Sequence, residues 1–460
     1  MNRSPLLLGA LLVTCAIPAA AQNRGGAPMR MDPIPVQYER LPNGLRVVLS
    51  PDRTSPTVTV MVYYNVGFRL EPRERTGFAH LFEHLMFQGS GNMGKMEYAR
   101  LVQNNGGNFN GSTRFDFTNY FQQMPAHMLE TALWSEADRM RGLDITQENL
   151  TNQQGVVKNE VRVNVLNQPY GGFPWLDLPQ YANENWYNAH NFYGDLAQLD
   201  AATLEDVRDF FRTFYAPNNA ALVVVGDFDP REAMRWVRQY FGDIPRGPAL
   251  PTFDITEPRQ TAEKRATRED RLAPRPALAL GYKMPARNTP EYYAMGMIDA
   301  IMLQGRDSRL YESLVQRAGV TSGVGGGINL LGNMYNYNGP MLWTINLIHD
   351  ANRSSDSIVA LIDAEIAALV NAPIDDATMQ RARVKMRSQL YNVLGSQFGK
   401  GDLLASFALF DNDPARINRL EEELARVTPA LIQQTAREYL RNTNRTILTL
   451  TPGAQQTGGN

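Results

Sequence analysis

The chain has 460 residues, too many for one compact core, so two or more domains are expected. Hydrophobic residues make up 43% and charged residues 20%, an ordinary globular balance, and 45 basic against 47 acidic residues leave a net charge of −2. That balance gives no footing for nucleic acid or an anionic membrane as partner, and no apolar run after residue 30 is long enough to span a bilayer.

Residues 1–22 differ from the rest. Arg3 precedes the apolar run PLLLGALLVTCAIPAAA, which closes on Ala19-Ala20-Ala21. A basic start, a short apolar centre and an A-x-A ending read as an export signal, 1–21, with cleavage after Ala21 and a periplasmic destination. Cys15 is the only cysteine and lies inside this segment. A lipoprotein anchor at LVTC is the alternative, although Thr14 is a poor small residue before the cysteine. Cleavage after Ala21 leaves no thiol, which excludes disulfides and cysteine-held zinc.

Beyond a polar leader, QYERLPNGLRVVLSP carries an Asn-Gly turn between apolar runs, a hairpin signal. TVTVMVYYNVG reads as a strand, residues 76–87 as a helix stopped by Gly89, and NGGNFNGSTRFDFTNYFQQMP as paired strands. A long helix is expected over about 147–166, with Val156, Val157 and Val163 on its apolar side, and helix, turn and strand over 204–230. DIPRGPALPTFDITEP has the composition of a linker, and the linker is placed at 247–262. The second part echoes the first. ALALGYKMP is a strand, EYYAMGMIDAIMLQGRDSRLYESLVQR is helical around a break at Gly305, and the last segment matches 204–226 at an offset of 224, with Tyr215 over Tyr439 and Asn218 over Asn442. An offset of 216 places Gly296, Asp299 and Ala300 over His80, Glu83 and His84, so the repeat keeps the shape without the ligands. The expectation is an α+β chain of two similar halves, 33–246 and 263–453, each an antiparallel-rich mixed sheet packed with helices, ending in a disordered tail, 454–460. SGVGGGIN lacks a following Gly-Lys-Ser/Thr and is a poor phosphate loop, and the methionines and tyrosines of YYAMGMIDAIM recur at helical spacing as core.

The chemistry concentrates in GFAHLFEHLMFQGS. Side chains four apart on a helix share a face, so His80 and His84 can reach one metal ion, and Glu83 projects from the same side. The order is H-x-x-E-H, the inverted zinc-peptidase motif. Two satisfied histidines beside a helical glutamate are the plain alternative. A catalytic zinc needs a third protein ligand. Nothing in the settings of His127, His190 or His349 singles one out, whereas Glu160, on the predicted helix 147–166, is the stronger candidate.

With GGNFNGSTRFDFTNY, VVKNE…NQPYG, the 215–226 segment and SRLY, the chain resembles the inverzincin peptidases of the pitrilysin and mitochondrial-processing-peptidase family from about residue 35 to 452. The resemblance implies one zinc per chain held by His80, His84 and Glu160, the last lying 76 positions after His84 (160 − 84), as that family spaces it. It also implies Glu83 as general base, and Asn110 and Gly111 on a strand whose backbone pairs with an extended substrate. Gly111 stands where the family has Ala, and Gln153 stands where many members carry a supporting glutamate. Members that complete the site in one chain carry an Arg and, seven later, a Tyr. Here those positions are Val315 and Ser322, and Arg317 is out of register. The resemblance therefore implies the zinc-bearing subunit of a heterodimer of clamshell form, a homologous subunit without the zinc motif supplying Arg and Tyr. The expected activity is that of a zinc metalloendopeptidase acting on peptides or unfolded segments. A non-catalytic peptide-binding or assembly subunit of the same fold is the rival.

Overall fold

The computed structural model describes residues 32–453. The export signal with Cys15 and the tail 454–460 lie outside the described residues. Strands β1 (Gln37–Arg40), β2 (Arg46–Pro51), β3 (Thr57–Tyr64), β4 (Asn108–Thr113), β5 (Thr118–Pro125) and β6 (Ala220–Gly226) form one sheet, in the order β1-β2-β6-β3-β5-β4. The Asn43-Gly44 turn joins β1 to β2 as an antiparallel hairpin, with Gly44 at φ +97°. A second sheet holds β7 (Lys264–Asp270), β8 (Ala277–Lys283), β9 (Gly325–Ile328), β10 (Leu342–Ile348) and β11 (Arg445–Pro452), in the order β7-β11-β8-β10-β9.

The two sheets repeat one topology. In both, one parallel pair (β2 with β6, β7 with β11) stands among antiparallel pairings, and β1 is an added edge strand of the first sheet. Matching hydrogen bonds set the register of the repeat. Asn219 Nδ2 donates to the carbonyls of Phe214 and Asn65, and Asn444 Nδ2 donates to those of Tyr439 and Lys283. Thr203 and Thr428 cap the equivalent helices Leu204–Phe214 and Pro429–Tyr439. The offset is therefore 225 (444 − 219), and the sequence register of 224 was one residue short. Side-chain identity had matched the two tyrosines, whereas the structure aligns Tyr439 with Phe214 because a helix-terminal carbonyl, not a ring, is the shared function.

Strict alternation along the first sheet buries both of its faces. Val58, Val60, Val62 and Tyr64 of β3 pack with the helices of their own half, and Met61 and Tyr63 pack into a core continuous with the second half. That second core includes the helix Gln397–Phe410, whose Gly401 meets the Met61 sulfur so closely that a Cβ there would overlap it. In return, Phe173, Leu178 and Ala182 of the first half cover the outer face of the second sheet at Ala279, Leu342, Leu448 and Leu450. Each half thus completes the other's core. Residues 247–262 contain no helix or strand, and they are fastened along their length, with Asn185 Nδ2 donating to Asp254 O and Asn188 Nδ2 to Ile255 O.

Helix α1 (Phe78–Leu85) is shorter than expected from sequence because Gly77 adopts φ +85°, outside the helical region. Helix α2 (Glu97–Asn104) leads to β4, and α3 (Leu129–Arg141), unforeseen from periodicity, follows β5. The expected 147–166 helix is α4 (Gln147–Val161) running directly into a π-helical turn, Arg162–Leu166. Its apolar side is misassigned from sequence: Val157 is buried, but Val156 and Val163 are 43% and 46% exposed. Leu150, Gln153, Gln154 and Val161 form the buried face instead. The Tyr292–Met302 stretch is core, as its helical spacing implied, and Gly325, Gly326 and Gly327 of GVGGGIN lie in edge strand β9. Among the described residues no single helix is long and apolar enough to cross a membrane.

Candidate metal centre

Helix α1 has two turns, too few to be stable alone, and it is held from outside. The buried Glu71 carboxylate accepts the Gly77 amide at 2.8 Å and the Ala79 amide at 2.7 Å, satisfying free donors at the helix start and placing negative charge at its positive end. Phe78, Leu81, Phe82 and Leu85 bury the opposite face. His80 and His84 then share the remaining face, their ring centroids 5.0 Å apart at 86°. Glu160 enters from α4. His80 Nε2 lies 3.5 Å from Glu160 Oε1, and His84 Nε2 lies 3.2 Å from Oε2.

Tetrahedral donors about 2.1 Å from a zinc ion stand roughly 3.3–3.4 Å from one another. The two nitrogen–oxygen separations bracket that edge, and the three donor atoms fall within 4.8 Å of one another. The chemistry of the set, two imidazoles and one carboxylate, suits zinc. Exposure rises around the cluster, from 6% for the His80 side chain to 20% for His84 and 32% for Glu160, so one side faces solvent where water and substrate would enter. Hydrogen bonds from His80 and then His84 hold the Glu160 carboxyl well below the usual carboxylate range, so it is ionised at neutral pH. His80 Nδ1 is buried without a hydrogen-bond partner among the described residues, so packing orients this ring, chiefly the Tyr193 ring 5.2 Å away.

Glu83 is engaged elsewhere. Its Oε2 accepts from Thr113 Oγ1 at 2.7 Å, which draws the carboxylate toward β4. Gly111 lies beside it, where a Cβ would stand 3.3 Å from Glu83 Cγ and 3.2 Å from Tyr120 Cδ1. Among the described residues strand β4 pairs only with β5, which leaves its other edge free, with Asn110 exposed on it. Asn110 Oδ1 accepts the Gly111 amide at 2.9 Å. Gln153 is buried on α4 and donates to Asn152 Oδ1 at 2.8 Å, not to a residue of the cluster.

The other histidines are away from the centre. His190 stacks on Trp186 at 4.2 Å, His349 bonds to the Asp350 carbonyl, and His127 lies in the turn before α3. Arg317 pairs with Glu365. Sequence reasoning missed Glu71 and Tyr193, for which no spacing rule offered a signal. Thr113, inside GGNFNGSTRFDFTNY, had no role of its own in the sequence reading.

Residues 46–170 match the family model described as insulinase (peptidase family M16), and residues 201–386 match the one described as peptidase M16 inactive domain. The chain is 25% identical over 421 residues to the zinc protease PqqE of Helicobacter pylori, covering 90% of this chain and 92% of that one. The fold is similar to the crystal structure of a protease from Helicobacter pylori, with a TM-score of 0.83 at 24% identity, over 91% of this chain and 100% of that chain. It is also similar to the periplasmic protease PqqL from Escherichia coli, with a TM-score of 0.74 at 18% identity, over 93% of this chain and 48% of that chain.

Proposed function

The chain belongs to the M16 peptidase family, and from that premise we propose that it is an exported zinc metalloendopeptidase that hydrolyses peptides or unfolded segments. The observation that carries this reading is the convergence of His80, His84 and Glu160 on one point while Glu83, from the same helix face, stays outside the donor set. In this reading those three residues hold one zinc ion, which when bound brings the pKa of water to about 7 and polarises the scissile carbonyl.

The chain's own residues do the rest. Glu83 takes the proton of the attacking water and returns it to the departing amine, and Thr113 keeps its carboxylate in place for both transfers. The free edge of β4 offers main-chain groups to an extended peptide, so Asn110 and Gly111 hold substrate through backbone pairing, which tolerates many sequences. Gln153 contributes by packing rather than charge.

A second subunit belongs to the same proposal. The chain spans about half the length of PqqL, and Val315 and Ser322 cannot supply Arg and Tyr chemistry. A homologous partner without the zinc motif would close the chamber and bring those groups. Export is read from the leading segment, and it agrees with PqqL being described as periplasmic.

The match of 201–386 to an inactive-domain description favours a second reading, a peptide-binding subunit without catalysis. Metal analysis with a quenched-peptide assay, with and without chelator, separates the two. The peptidase reading expects one zinc per chain and chelator-sensitive cleavage. It also expects Glu83→Gln to retain the metal while losing at least on the order of 100-fold in turnover. A fully active Glu83→Gln protein, or a folded chain that takes up no zinc, sinks it.

A further inference from the structure

We propose that Tyr193 is a substrate-binding residue of this centre, its hydroxyl donating a hydrogen bond to the scissile carbonyl oxygen as that oxygen becomes anionic. The inference rests on the peptidase reading above and adds to it a residue supplied by this chain itself. Tyr193 is half-buried beside the cluster, its ring 5.2 Å from that of His80 at 57°. The ring is fixed on its other sides by Trp175 at 5.4 Å and Phe68 at 6.2 Å. Among the described residues its hydroxyl makes no hydrogen bond, although the phenol lies within electrostatic reach of both Glu160 and Glu83. A tyrosine packed by three aromatic rings, one of them His80, with a hydroxyl that makes no hydrogen bond among the described residues, is preorganised for a ligand rather than for the fold.

The loop that carries it is pinned to the start of α1. The Asp195 amide donates to Thr76 Oγ1 at 2.9 Å. Gly194, at φ +77°, lies so close to Gly77 that a Cβ would stand 2.4 Å from the Gly77 amide nitrogen. The tyrosine and the two histidines are therefore positioned from one anchor. The second half, by contrast, presents Val315 and Ser322 where an oxygen-binding pair would be needed. Tyr193 is a phenol already in place on the metal-bearing side.

Tyr193→Phe tests this, because it keeps the ring that packs on His80 and removes only the donor. The zinc-loaded full chain is titrated with a peptide phosphonamidate, which mimics the tetrahedral oxyanion, and its zinc content is measured in parallel. We expect Tyr193→Phe to keep one zinc per chain and to bind the phosphonamidate on the order of 100-fold more weakly. An uncleaved peptide should bind Tyr193→Phe and the unmodified chain, each carrying Glu83→Gln, within twofold of one another. Equal phosphonamidate affinity in Tyr193→Phe and the unmodified chain overturns the assignment while leaving the peptidase reading intact. An unmodified chain that takes up no zinc overturns both.

Discussion

Thr113 and Glu71 show how much of the centre is decided by residues that would touch neither metal nor substrate. Glu71 holds the start of α1 through two amide hydrogen bonds, and Thr113 holds the Glu83 carboxylate through one at 2.7 Å. Thr113→Val preserves shape and deletes that single donor. A hydrogen bond to a charged acceptor is worth about 1.5–3 kcal/mol. Turnover should therefore fall by about tenfold or more with zinc content unchanged, read from steady-state kinetics beside metal analysis. Unchanged turnover would remove Thr113 from the site. Gly111 belongs to the same argument, because any larger side chain there would press on Glu83 Cγ.

Among elements, the comparison between α1 and the helix Pro290–Met302 is informative. Glu83 lies against Gly111 of edge strand β4, and Asp299 lies against Gly327 of edge strand β9, where a Cβ would stand 3.6 Å from Asp299 Oδ1. The duplicated element has kept a carboxylate at the strand edge and lost the imidazoles. Asp299 is partly buried, and loss of solvent around it pushes its carboxyl up to about 6, opposed by hydrogen bonds from Trp343 Nε1 and Gln304 Nε2. The sign follows from linkage. The folded chain keeps this proton up to about pH 6, whereas the unfolded chain releases it near 3.8, so stability falls as pH rises through that window, by about 3 kcal/mol at most. Asp299→Asn cannot titrate, so its melting temperature should rise relative to that of the unmodified chain between pH 4 and pH 6.5. Parallel melting curves for the two proteins would refute the assignment.

At the scale of the molecule, the two halves do not behave as beads on a tether. Gln397–Phe410 seals the first sheet and residues 173–182 seal the second. Buried polar links cross the same seam, with Tyr63 donating to Asp402 Oδ1 at 2.8 Å, and Arg69 pairing with Asp116 while it donates to the Pro340 carbonyl. On the proposed reading, a second chain covers the free edge of β4, since the interlocked halves of this chain leave it open. Purified protein is accordingly expected to bind one zinc and cleave peptides slowly, and to gain activity when a homologous chain without H-x-x-E-H is added. Strong cleavage by a chain shown by light scattering to be monomeric would refute the partner requirement.

Local information sufficed for the hairpin at Asn43-Gly44, for strands β3 and β6, for the histidine pair on one helical face, and for the duplicated α+β plan. Each depends on residue type at short range or on a repeated pattern. Helix α1 begins where Gly77 and its backbone angle require, a boundary that periodicity does not encode. The bringing together of Glu160 with His80 and His84 was a matter of spacing and resemblance until α4 was seen packed against α1. The anchoring of α1 by Glu71 is local but follows no periodic rule. The exposure of Val156 and Val163, the one-residue correction to the repeat and the approach of Tyr193 all come from segments distant in the chain. Their separation in sequence leaves no periodic trace, because a long-range contact is chosen by how whole elements fill the shared core and not by the neighbours of either residue. The sequence by itself determined which groups could do the chemistry, and only the tertiary structure decided which of them meet.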